Sequence, residues 1–194
     1  MANTIENALN ALKQDTKYPA LFKEIYQDGI TEKNLAEVIA EFEKMLITPN
    51  APFDRYLKGD RYALSKSAMK GYKLFKEKGC ISCHNGINIG GNLYNKFGIY
   101  GDTKSKELGR YNITHNEEDK YVFKVPSLRN VARTAPYMHD GRATTMKEAV
   151  NIMVKYQLGR RIYGEELRDI VSFLSSLTGE YPEMVKDMHE VDKK

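Results

Sequence analysis

The chain has only two cysteines, Cys80 and Cys83, set two residues apart and followed at once by His84. That run limits what the chain can be. No further cysteine exists to build a disulfide scaffold. A structural zinc site needs four ligands, and two of His84, His115, His139 and His189 would have to complete it at unfavourable spacing. A redox-active dithiol belongs in a βαβ setting, which this sequence does not offer. What remains is covalent attachment of heme c through Cys80-Ile81-Ser82-Cys83-His84. Two thiols at this separation reach the two vinyl groups along one porphyrin edge. The adjacent imidazole then meets the iron from one face.

The rest of the chain must therefore wrap a flat, largely apolar group, and its composition suits that task. Of 194 residues, 41% are hydrophobic and 29% charged, as in ordinary globular domains. No apolar run approaches the ~18 residues that would span a bilayer, so no membrane role is expected. The net charge of +4 comes from 30 basic and 26 acidic residues that are interspersed. Without an aromatic-interleaved basic stripe, nucleic-acid binding is not expected.

The hydrophobic pattern is mainly helical. It predicts short helices over 4–14 and 18–27 and a clear one over 32–46, where Leu35, Val38, Ile39, Phe42, Met45 and Leu46 share a face. That face either covers the protein's own core, the plainer expectation, or forms a contact surface. Thr48-Pro49-Asn50-Ala51-Pro52 ends the helix and opens an extended linker from Phe53 to Tyr62. Ser65 reads as the N-cap of the next helix, with Leu64 and Met69 placed for a hydrophobic staple and Gly79 as its stop. Gly71, inside that helix, implies close approach of another helix, and 165–177 is the candidate, with Leu167, Ile170, Val171, Leu174 and Leu177 on one stripe. Residues 86–120 hold six glycines and read as loops around a ligand. Val122 to Val125 is a short extended segment. Residues 145–157 form a helix with Met146, Ala149, Val150, Met153 and Val154 inward.

Spacing alone leaves the second axial ligand open. Histidine with methionine is the usual electron-transfer pair. Met138, Met146 and Met153 lie downstream of the motif, where the chain can return over the heme, and each is equally a core residue by position. His139, in the turn-like Tyr137-Met138-His139-Asp140-Gly141, is the rival. His115 and His189 read as surface residues.

Longer stretches carry a resemblance. Leu46-Ile47-Thr48-Pro49-Asn50-Ala51-Pro52-Phe53-Asp54-Arg55-Tyr56-Leu57-Lys58-Gly59, the heme motif with its flanks, Phe123-Lys124-Val125-Pro126-Ser127-Leu128-Arg129-Asn130-Val131, Thr134-Ala135-Pro136-Tyr137-Met138-His139-Asp140-Gly141 and Tyr156-Gln157-Leu158-Gly159 occur in order. The chain resembles the C-terminal, high-potential heme domain of bacterial di-heme cytochrome c peroxidases. The resemblance implies an all-α, class I cytochrome c-like fold, with a helical extension and linker over 1–62, the heme domain over 63–182 and a charged tail over 183–194. It implies His84 and Met153 as the axial ligands, with Cys80 and Cys83 as the thioether attachments of one heme. It further implies that Thr134 and Pro136 offer carbonyls to an interdomain calcium.

Partners implied by the resemblance are a small soluble electron donor of cytochrome c or cupredoxin type, a second heme domain and a second copy in a homodimer. In that family the second heme is where hydrogen peroxide is reduced to water. That domain, with its own heme motif, would precede residue 1, Met1 being an internal methionine of a longer chain. No residue here is then catalytic by itself. The chain also lacks the tryptophan that the family often places between its hemes. Heme attachment of this kind takes place in the periplasm, although the first residues do not form a signal peptide. The alternative expectation is a stand-alone monoheme carrier without peroxidase activity.

Overall fold

A computed structural model describes residues 3–103 and 105–182. The chain divides into two units. The smaller holds the described residues before Thr48 together with Tyr181 and Pro182, and the larger runs from Thr48 to Glu180. The expected tail over 183–194, with Met184, Met188 and His189, lies outside the described residues, as does Met1.

The smaller unit contains α1 (Ile5–Gln14), α2 (Tyr18–Ile25) and α3 (Glu32–Met45). Thr4 and Thr31 cap α1 and α3, each hydroxyl accepting from a backbone N–H three residues on. Asn34 is buried, its amide donating to Asp28 and to the Gly29 carbonyl, both at 2.7 Å. On the apolar face of α3, Leu35 and Val38 are half-buried, whereas Ile39, Phe42 and Met45 are 48%, 42% and 53% exposed. Helical periodicity identifies an apolar stripe but not what lies against it.

The larger unit is mostly helical. It comprises α4 (Pro52–Leu57), α5 (Lys66–Glu77), α6 (Tyr111–Thr114), α7 (Met146–Leu158) and α8 (Gly164–Ser175). A two-stranded antiparallel ribbon joins β1 (Tyr94–Lys96) to β2 (Val122–Lys124), with Asn95 opposite Phe123. Among the described residues, no helix is long and apolar enough to cross a membrane.

The segment after Pro52 is not an extended linker. Pro52 opens α4, where its missing N–H costs nothing. Phe53 is buried, and its ring meets Phe173 edge-on at 5.2 Å. The larger compact unit thus begins at Thr48 and takes in α4.

Helices α5 and α8 form the spine of the larger unit. Ser65 caps α5, accepting from the Ala68 N–H at 3.1 Å. A Cβ on Gly71 would fall 1.9 Å from the Asp169 carbonyl oxygen and 2.9 Å from Phe173 Cβ. Only glycine permits this crossing, which explains a residue that costs about 1 kcal/mol against alanine in a helix interior. Ile170 and Leu174 on α8, and Leu177 just past its end, are buried as the apolar stripe over 165–177 predicts. Phe75 completes the aromatic core, 5.1 Å from Phe173 and 6.4 Å from the His84 ring.

Candidate heme site

Gly79 ends α5 with φ of 96°, a left-handed conformation that favours glycine, and turns the chain into a short 3-10 turn over Cys80–Ser82. The His84 N–H donates to the Cys80 carbonyl at 3.0 Å. This compact turn brings both thiols and the imidazole to the wall of one cavity of about 620 Å³. The two cysteines are not joined in a disulfide. Phe75, Val150, Val154, Ile170 and Leu174 supply much of the apolar lining.

The same cavity is lined in part by helix α7. A capping box starts it: the Thr145 hydroxyl accepts from the Glu148 N–H, and the Glu148 carboxylate accepts from the Thr145 N–H. All five residues expected on its inward face, Met146, Ala149, Val150, Met153 and Val154, reach the cavity. Gln157, one turn beyond Met153, fastens α7 to the ribbon. Its amide donates to the Lys96 carbonyl at 3.0 Å and its oxygen accepts from the Gly98 N–H at 3.2 Å.

The donor set and the cavity suit a porphyrin. Burial pushes the His84 pKa down, opposed in part by the nearby Ile89 and Pro126 backbone. The ring is therefore held neutral, the form that ligates a metal. Its Nδ1 is buried and makes no hydrogen bond of adequate geometry. Burial also pushes the Cys80 thiol up to about 11, with a smaller push from Cys83 and an opposing backbone hydrogen bond. These side chains are costly to bury as free polar groups, and capture of a large apolar ligand that binds through them removes that cost.

Met138 and His139 also reach the cavity. His139, however, stacks on Phe123 at 4.2 Å, and its Nε2 is paired with the Ser105 hydroxyl at 3.0 Å. Thr134 and Pro136 lie on the same wall, and the Thr134 hydroxyl donates to the Val131 carbonyl at 3.2 Å. His115 stands apart as the C-cap of α6, beside Tyr111. Among the described residues, no three His, Cys, Asp or Glu side chains converge as a metal site.

Sequence reasoning missed Asn95. It sits in the stretch read as loop, and its amide donates to Cys83 Sγ at 3.2 Å. The strand pairing that places it involves residues nearly thirty positions away, and the one visible signal was the extended character of 122–125.

Comparison with known proteins agrees with this geometry. Residues 68–178 match the cytochrome c family model, and residues 1–62 match that of di-haem cytochrome c peroxidase. Cytochrome c peroxidase Ccp of Escherichia coli is 44% identical over 181 residues, covering 91% of this chain and 39% of the relative. Cytochrome c551 peroxidase of Nitrosomonas europaea is 42% identical over 186 residues, covering 94% and 56%. The Pseudomonas aeruginosa protein of that name is 45% identical over 154 residues, covering 77% and 44%. The chain thus spans between 39% and 56% of the length of these curated relatives. A MauG-like protein associated with microbial copper homeostasis shares the fold, with a TM-score of 0.59 at 24% identity over 68% of this chain and 52% of that one. The chain is a heme-binding member of the cytochrome c family, and it is similar to di-haem cytochrome c peroxidases.

Proposed function

We propose that this chain is the electron-accepting half of a bacterial di-heme cytochrome c peroxidase. Electrons would enter one at a time from a small soluble protein of cytochrome c or cupredoxin type. They would pass to a second heme, on a domain preceding residue 1, where hydrogen peroxide is reduced to water. The observation that carries this reading is the meeting of Cys80, Cys83, His84 and Met153 at one apolar cavity.

In this reading Cys80 and Cys83 hold a single heme c by thioether bonds, with His84 nitrogen and Met153 sulfur at the iron. Bound in this way, the group supplies reversible one-electron chemistry. The neutral His84 ring presents a lone pair without first losing a proton. Met153, as the second residue to hold the group, would favour its reduced state and a high potential through its thioether sulfur. Phe75, Val150, Val154, Ile170 and Leu174 exclude water and so limit reorganisation on electron transfer. His84 and Met153 would both be taken up in holding the group, so no residue of this chain is assigned as catalytic.

The Thr134 and Pro136 carbonyls would serve a calcium ion shared with the neighbouring domain, and carbonyl oxygen suits that hard cation. The exposed face of α3 offers an apolar surface to that domain or to a second copy in a homodimer. Heme attachment of this kind is carried out in the periplasm, which supports a periplasmic location for the protein.

Expressed with a c-type maturation system, the protein should keep its colour through acid–acetone extraction. Met153→Ala should abolish the sulfur-to-iron absorption band and lower the potential, and Met138→Ala should leave both intact. The chain as given should titrate as one reversible heme without fast peroxide turnover. Joined to its upstream coding region, it should gain a second heme and turnover. A joined protein with neither would leave the monoheme carrier as the correct reading.

A further inference from the structure

The geometry points to Asn95 as a residue that tunes the redox balance of the site through the sulfur of Cys83. The inference rests on the heme reading above and adds a positioning residue to it.

Asn95 is the middle residue of β1 and the half-buried one of its three, the strand alternating exposed, half-buried, exposed. The register with β2 fixes it opposite Phe123. Two bonds from Gln157 hold the end of β1 and the residues after it, so the strand cannot drift from the cavity. The Asn95 amide donates to Cys83 Sγ at 3.2 Å. The orientation of an asparagine amide must be argued from its partners. Here the partner is decisive: the Asn95 oxygen accepts from the Lys96 N–H at 2.8 Å, which leaves the nitrogen facing the sulfur. Reversal would set two donors against each other.

A thioether sulfur keeps acceptor capacity after attachment. An N–H aimed at it puts the positive end of a dipole against the rim of the bound group. The oxidised iron carries one more positive charge than the reduced iron, so this dipole favours the reduced state. Hydrogen bonds outside the metal's own ligands are a recognised lever on potential. The lever in this site is a ribbon side chain, independent of either axial ligand.

The test is a redox titration of the heme-loaded chain carrying Asn95→Leu, a substitution of similar shape without the donor. The ratio of reduced to oxidised protein at a fixed potential should fall two- to fivefold. At 59 mV per tenfold for one electron, that lowers the midpoint by about 20–40 mV. The sulfur-to-iron band should persist, which separates the effect from a displaced Met153. In a Cys83→Ala background, with the heme held by Cys80 alone, the same change should have no further effect.

A midpoint unmoved by Asn95→Leu overturns the inference, as does an equal shift in the Cys83→Ala background. If Cys83→Ala fails to take up heme, proton NMR of the reduced protein decides. One Asn95 amide proton should exchange slowly and lie close to the Cys83 β-protons, and equal fast exchange of both overturns the inference. A protein that binds no covalent heme fails the reading under Proposed function instead.

Discussion

Arg129 Nη1 donates to both carboxylate oxygens of Asp54, at 2.7 and 2.8 Å, across 75 positions of sequence. The same guanidinium spends Nε and Nη2 on the Ile87 carbonyl, at 3.0 and 2.8 Å. One side chain therefore ties α4 to the loop that follows the heme motif. Both side chains are about one-fifth exposed, so solvent screens the pair only in part. Lysine can keep the charge but not this planar set of donors. Arg129→Lys should lower stability by about 1–3 kcal/mol in urea unfolding. A variant as stable as the parent would show the contact to be incidental.

At the crossing of α5 and α8, Gly71→Ala should destabilise the protein although alanine is the better helix former. The added carbon would lie 1.9 Å from a backbone carbonyl oxygen that no rotamer change can remove. Forcing the helices apart should cost about 1–3 kcal/mol net. Thermal unfolding of the heme-loaded protein reads this directly.

Gly90 is the corresponding point beside His84. Its φ is 122°, outside the range of ordinary side chains. A Cβ there would lie 2.1 Å from the Pro126 carbonyl oxygen and 3.2 Å from His84 Nδ1. Gly90→Ala should cost about 3 kcal/mol. The yield of covalently bound heme per protein, measured as pyridine hemochrome, should fall with it.

Helix α7 carries a pH dependence. The Thr144 hydroxyl and the Thr144 and Thr145 backbone N–H groups donate to the Glu148 carboxylate and lower its pKa. Its contribution is complete above the ordinary glutamate value and is lost as pH falls through the lower folded value. Glu148→Gln should flatten the stability profile in that acid window. Thr145→Ala, which removes the reciprocal cap, should cost about 1 kcal/mol at neutral pH. Unfolding curves from pH 3 to 7 test both.

Local chemistry was the legible part of the sequence. The Ser65 cap, the Gly79 stop and the Gly71 crossing each follow from a residue's own properties or from a short pattern, and the folded chain agrees with these three. The Cys80–His84 run is equally short and local, and its three side chains line one cavity. Met153 is different. The inward face of α7 holds Met146 as well, and periodicity cannot choose between two methionines that both reach the cavity. The choice came from the resemblance. Phe53 was misread because two prolines nearby suggested a linker, whereas Pro52 serves as a helix start. Asn95 and the Asp54–Arg129 pair depend on partners distant in sequence, which no local pattern reports. The face of α3 was visible as a stripe, but what it contacts is a property of the surroundings and not of the helix.

Where the larger unit opens and closes, the chain is fastened to itself. Asn130 donates to the Thr48 hydroxyl at 2.8 Å and accepts from the Gly179 N–H at 3.0 Å, while the Glu180 N–H donates to the Pro49 carbonyl at 2.8 Å. The unit is a closed loop, clasped at its neck. Tension along the polypeptide would load that neck first and leave the iron pocket out of the line of force. A module with adjoining ends can hang as a pendant from a longer protein, be moved to another host, or be cut and rejoined elsewhere, without its interior registering the change.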